Sequence, residues 1–142
     1  MMKNYHLVIL KKPYLDKILN GTKKVELRLT KTKHHGFGKV SAGDELFLKE
    51  SSGFVCAKAC VEKVENYENL TPEKIIELKQ QYNHLIGGGN EHWQSKMDSK
   101  FGFLVWLKDV RTLDPVKINK KDWRAWVVLS ERENFGLFQF RD

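Results

Sequence analysis

Long apolar runs, closely paired cysteines and phosphate-loop signatures are all missing from this chain. No apolar run approaches the roughly 20 residues that a membrane-spanning helix needs, so no segment reads as a bilayer span. Ahead of Lys11 and Lys12, the first ten residues hold only the short apolar stretch 7–10, which is not the pattern of a signal peptide. Cysteine occurs twice, at Cys56 and Cys60, within a segment 54–64 that reads as a strand. Four residues of strand separate Cα atoms by about 13 Å, beyond the roughly 7 Å that a disulfide tolerates. Both thiols are expected to be reduced, which points to a cytoplasmic setting. The histidines His6, His34, His35, His84 and His92 show no paired ligand spacing, so neither a metal nor another cofactor is expected. Gly87, Gly88 and Gly89 are not followed by Lys and Ser/Thr and read as a helix stop.

What is present is enough for one domain. The 142 residues are 41% hydrophobic with 11% aromatics, a length that buries a core without staples. The net charge is +7, and it is unevenly placed. Residues 1–39 hold ten Lys/Arg against Asp16 and Glu26, a net of 10 − 2 = +8, while residues 40–142 hold 15 basic and 16 acidic residues, a net of −1. A basic block of this kind points to an anionic partner, most often nucleic acid; the bland reading is a solvated face.

Segment 5–10 is a short apolar strand. Pro13 opens a helix with Tyr14, Leu15, Ile18 and Leu19 on one face, and Gly21 closes it. Segment 24–30 alternates, with Val25, Leu27 and Leu29 pointing one way and Lys24, Glu26 and Arg28 the other. A basic, glycine-bearing loop follows over 31–41. Segments 45–49 and 54–64 read as a hairpin joined by Ser51, Ser52 and Gly53. Thr71 and Pro72 start a second helix that Gly87 ends. After a polar loop with His92 and Trp93, strands are expected over 101–110, 116–118 and 126–129, with a turn at Asp114-Pro115. The apolar tail 135–140 is expected to dock. With short strands and two helices, this order argues for an α+β fold, a small mixed β-barrel with helices packed at its ends.

Gly21-Thr22-Lys23-Lys24-Val25-Glu26-Leu27-Arg28 after a Pro13-led helix, followed by a basic loop and Gly43-Asp44, resembles the ASCH family. The resemblance covers about residues 5–112 of a single domain spanning 1–142, with 113–142 as a C-terminal extension packed on the barrel. It implies the PUA-like barrel and a cleft floored by Lys23, Glu26 and Arg28, with RNA or nucleotide-like ligands. The expected function is binding of RNA or other single-stranded nucleic acid in a basic cleft. The ligand residues would be Lys23, Lys24, Glu26, Arg28, Lys31, Lys33 and Lys39, with Arg28 as the reader of anions. Lys24, Glu26 and Arg28 also read simply as a surface ion-pair ladder. Trp93 and Trp123 are the tryptophans freest to stack on a base, although packing is the commoner use of each.

Two other classes stay open. One is an enzyme on modified nucleosides or RNA, amidohydrolase-like or a ribonuclease, with Lys23 and Glu26 as catalytic candidates. ASCH-like amidohydrolases that deacylate acetylated cytidine use a Lys, a Thr and a Glu. Lys23 matches that lysine, but Glu26 stands where the threonine would be, and Thr22 is in another register. The other class is a protein-interaction adaptor in transcription or translation. Replacing Lys23 and Arg28 together by alanine is expected to abolish binding without unfolding the domain.

Overall fold

Alternation along the strand after Lys24 decides which side of a sheet each residue meets, and that single pattern organises the molecule. The computed structural model describes residues 3–34, 36–118 and 124–130. The elements run β1 (Tyr5–Leu10), α1 (Lys12–Leu19), β2 (Val25–Thr30), β3 (Glu45–Glu50), β4 (Val55–Tyr67), α2 (Pro72–Ile86), α3 (Asn90–Ser95), β5 (Phe101–Val116) and β6 (Trp126–Val128). The strands form one sheet in the order β2-β5-β4-β3-β1-β6. Among the described strands only β1 and β3 pair in parallel.

β4 and β5 are long, 13 and 16 residues, and their ladder shifts register at three places. Bulges of this kind bend and twist a strand pair, and the sheet curls into a half-barrel. Its concave side holds Val8, Leu46, Ala57, Phe103 and Trp126, with Leu15 and Ile18 of α1 plugging one end. On the outside, Val25, Leu27 and Leu29 meet Ile75, Leu78 and Ile86 of α2 and Trp93 of α3. A third cluster, Leu7, Phe47, Val55, Val127 and Leu129, lies away from both. The α+β class and the helices packed against a small mixed sheet are as expected, and the described strands curl into a half-barrel.

Local signals behave as their chemistry dictates. Thr71 caps α2, its Oγ1 accepting from the Lys74 N–H at 3.2 Å. Gly87 ends that helix in the left-handed region at φ 75°. Three expectations need correction. The polar loop at His92 and Trp93 contains α3, a helix too short to show a periodic face in sequence. The turn expected at Asp114-Pro115, with a separate strand after it, is instead the end of β5, which the bulges carry past those residues. Leu19, placed on the buried face of α1, is 38% exposed, while Leu15 and Ile18 are buried.

The basic loop is not a free arm. Gly36 lies so close to Trp126 that a Cβ there would come within 2.8 Å of the indole, and Phe37 packs edge-on to Phe101. Trp126 is anchored in turn through a buried chain. Its Nε1–H donates to His6 Nδ1 at 3.0 Å, and His6 Nε2 lies 2.9 Å from Asp44 Oδ2. With Nδ1 accepting, the proton sits on Nε2 and is donated to Asp44. Burial pushes the Asp44 carboxyl up, but the His6 bond and the N–H groups of Asn4 and Ser41 outweigh it and hold the pKa below the usual range. Asp44→Ala leaves these donors orphaned and is expected to lower stability by at least about 3 kcal/mol. Urea unfolding, read as a fall in midpoint at constant slope, checks it.

Candidate ligand-binding cleft

The site begins at a helix end. α1 stops where Gly21 takes φ 85°, and the turn delivers Lys23 beneath the C-terminus of α2. The last carbonyls of α2 lack intrahelical partners, and the chain around Lys23 supplies them. The Lys24 N–H donates to Leu85 O at 2.8 Å, Lys23 Nζ to Ile86 O at 2.7 Å, and Lys17 Nζ to Gly87 O at 3.1 Å. Lys23 thus sets its cation at the C-terminus of α2.

Lys23 then turns to Glu26. Its Nζ also donates to Val25 O at 2.8 Å and lies 3.1 Å from Glu26 Oε1, so all three of its protons have acceptors. Glu26 Oε2 lies 2.6 Å from Arg28 Nη2, which donates as well to Ile9 O at 3.1 Å. The three side chains are 3%, 9% and 15% exposed. Burial alone would raise the Glu26 carboxyl, but the Arg28 and Lys23 cations overcome it and keep the pKa below the usual range. The Arg28 guanidinium sits 5.5 Å from the Trp126 ring. Its buried Nε has no partner among the described residues. Nη1 makes no described hydrogen bond either, and Arg28 lines the open cleft.

That cleft measures about 1060 Å³. It opens between β2 and the β1–β6 edge, walled by Tyr14 of α1, Ser51 and Ser52 of the β3–β4 turn, and His92 and Lys96 around α3. Tyr14 and His92 are ring neighbours at 5.9 Å. Burial holds His92 below the ordinary imidazole range, and the Lys96 charge acts in the same direction. Among the described residues there is no cluster of His, Cys, Asp and Glu able to hold a metal, and no helix long and apolar enough to cross a membrane.

The expected ligand residues divide. Lys23, Glu26 and Arg28 meet in the cleft, but as one buried network. Lys24 precedes β2, is exposed and does not line the cleft, so the ladder partner of Glu26 is Lys23 and not Lys24. Lys31 and Lys33 point elsewhere, to Asp98 at 2.9 Å and Glu68 at 3.8 Å, and Lys39 also lies outside the lining. Trp93 cannot stack on a base, because it is 0% exposed and its Nε1–H is bound to Asn83 Oδ1 at 3.0 Å. Trp123 lies outside the described residues, as does the tail 135–140. Thr22 Oγ1 bonds Asn20 Oδ1 at 2.7 Å and is not in the cleft lining. Lining residues that sequence reasoning did not single out include Lys11, Lys49, Lys96 and Arg124; none belongs to a contiguous motif.

The joint alanine replacement of Lys23 and Arg28 is therefore not benign to the fold, since it strips Glu26 of both counter-charges. Removing one member of a buried ion network costs about 3–5 kcal/mol. Glu26→Gln is expected to fall in that range. Because its pKa is lower in the folded than in the unfolded chain, the Glu26 carboxylate stabilises fully above about pH 4.5 and progressively less as pH falls below that. Denaturant midpoints measured from pH 7 to 3 should show a shallower acid decline in Glu26→Gln than in the parent.

Comparison with known proteins bears on the same residues. No curated protein sequence matches the chain. The fold is similar to that of the ASCH protein from Zymomonas mobilis, with a TM-score of 0.71 at 13% identity over 97% of this chain and 96% of that one. It is also similar to the N-terminal domain of Staphylothermus marinus McrB, with a TM-score of 0.54 at 16% identity over 99% of each. The ASCH domain matches residues 8–129, from β1 through β6 and so across the whole buried network. The chain belongs to the ASCH domain family.

Proposed function

We propose that the protein binds RNA or another single-stranded nucleic acid in the cleft of its half-barrel. The sign of the lining carries this reading. Among the described lining residues Lys11, Lys23, Arg28, Lys49, Lys96 and Arg124 face Glu26 and Glu91, a net of 6 − 2 = +4. Glu26 is spent on Lys23 and Arg28 inside the network, so the mouth is more positive than the floor. Arg28, held by Glu26 and Ile9 O, has a second guanidinium nitrogen for a phosphate oxygen. The volume admits more than one nucleotide, and Ser51 and Ser52 add hydroxyls at the edge.

Lys11 and Lys96 flank the cleft without belonging to the buried network. Lys11→Ala combined with Lys96→Ala is expected to weaken binding of labelled single-stranded RNA while leaving the unfolding midpoint in place. The slope of log affinity against log salt should shrink by about 1.4, for two lost phosphate contacts. Fluorescence anisotropy across a salt series measures both. An unchanged slope removes these lysines from the interface, and no binding to any oligonucleotide removes the function.

His92 favours a second reading, an enzyme acting on RNA or modified nucleosides. An imidazole held neutral near pH 7 and beside cations that bind phosphate is suited to general-base work. Incubation with labelled RNA and with acylated nucleosides, followed by chromatography, tests for turnover. Any turnover is expected to fall by about 10²-fold or more in His92→Gln.

A further inference from the structure

β2 is an edge strand whose free side opens into the cleft. Among the described strands its neighbour in the sheet is β5 alone. Main-chain groups of an extended strand alternate sides, and the β2–β5 register runs without a shift. At its two ends, Lys24 O accepts from the Leu107 N–H and Thr30 O from the Lys100 N–H, both at 2.9 Å. Even-numbered residues therefore turn their C=O groups to β5, and Val25, Leu27 and Leu29 turn their main chains away from it. Val25 O bears this out by accepting from Lys23 Nζ on the cleft side.

Leu27 and Leu29 bury their side chains in the outer core, with 7% and 4% exposure, yet both residues line the cleft. What they show the cleft is main chain. Each extended residue sets an N–H donor and a C=O acceptor side by side in one direction, the pair that a neighbouring strand would engage. No described strand engages them. A donor beside an acceptor is the complement of the edge of an unpaired nucleobase, where an acceptor likewise sits beside a donor.

We propose that the free edge of β2, at Leu27 and Leu29, hydrogen-bonds the Watson–Crick edge of one unpaired base, while the cations of the cleft take its flanking phosphates. The inference rests on the nucleic-acid reading above and adds the group that is read. Two observations favour a base over a peptide strand at this edge. The lining is net positive, which suits a polyanion. The edge is also short, because Val25 O is already occupied by Lys23, leaving two residues where a pairing strand uses about five or six.

Equally charged RNA hexamers separate the possibilities: oligouridylate, oligo-N3-methyluridylate, oligoadenylate, oligo-N6,N6-dimethyladenylate and an abasic ribose-phosphate chain. Anisotropy against the intact protein should show at least one unmodified hexamer binding about tenfold or more tighter than its methylated partner and than the abasic chain, with equal salt slopes. In a ¹⁵N-leucine sample, the amides of Leu27 or Leu29 should move downfield with the preferred hexamer and not with its methylated form. Equal affinity for all five hexamers overturns the base-edge contact and leaves phosphate binding standing. Base-dependent affinity with both amides unmoved places the reader elsewhere and also overturns it. Binding of none of the hexamers overturns the nucleic-acid reading itself, and the inference with it.

Discussion

Glu26 lies between Lys23 and Arg28 at the seam that no ladder of the described strands closes. Arg28 reaches from β2 to the Ile9 carbonyl of β1, and Lys23 reaches from the same carboxylate to the last carbonyls of α2. One buried anion thus ties together the two sides of the opening and the helix packed outside it. Networks of this kind are a poor source of net stability, because each charge leaves water at a cost. What the network supplies here is position. It holds the guanidinium in one place against Trp126, and it occupies the Val25 end of the β2 edge.

The basic excess of the first 39 residues is redistributed by folding. Lys3 pairs with Glu45, Lys31 with Asp98 and Lys33 with Glu68, so acidic residues from the near-neutral remainder of the chain meet several of those cations on the surface. Exposed pairs of this sort add little stability, but they lower the charge of the loop that looked most like a nucleic-acid arm. The cleft draws its own positive lining from four separate regions, around Lys11, Arg28, Lys49 and Lys96, with Arg124 beyond them. The total charge was a fair guide to the sign of the cleft lining and a poor guide to which lysines form it.

Much of the fold was readable along the chain. Pro13 and Gly21 bracket α1, Thr71 and Gly87 bracket α2, and the alternation from Val25 to Leu29 identifies both the strand and its apolar face. The motif Lys23, Glu26 and Arg28 also marks the floor of the cleft. α3 escaped because five polar residues around one tryptophan carry no period, and Trp93 is buried by its place against α2 and not by any local pattern. β5 outran its expected end because bulges against β4 bend it, and a bulge depends on the partner strand. Tyr14, the His92 and Lys96 pair around α3, and Arg124 are far apart in sequence, and nothing local links the three.

Caps, turns and alternation act within a few residues, so their outcome is written in the sequence; the family motif and the basic bias are equally local facts. Whether a charged side chain is a ligand contact or a buried buttress depends on what stands three to four ångströms away in the folded chain. Lys23, Glu26 and Arg28 read as a motif in one dimension and become a buried ion network only when the α2 C-terminus and the Ile9 carbonyl arrive beside them. The unpaired edge of β2 is more hidden still. It consists of main-chain atoms that every residue possesses, and only the order of strands in the sheet decides which of them are left without a neighbour.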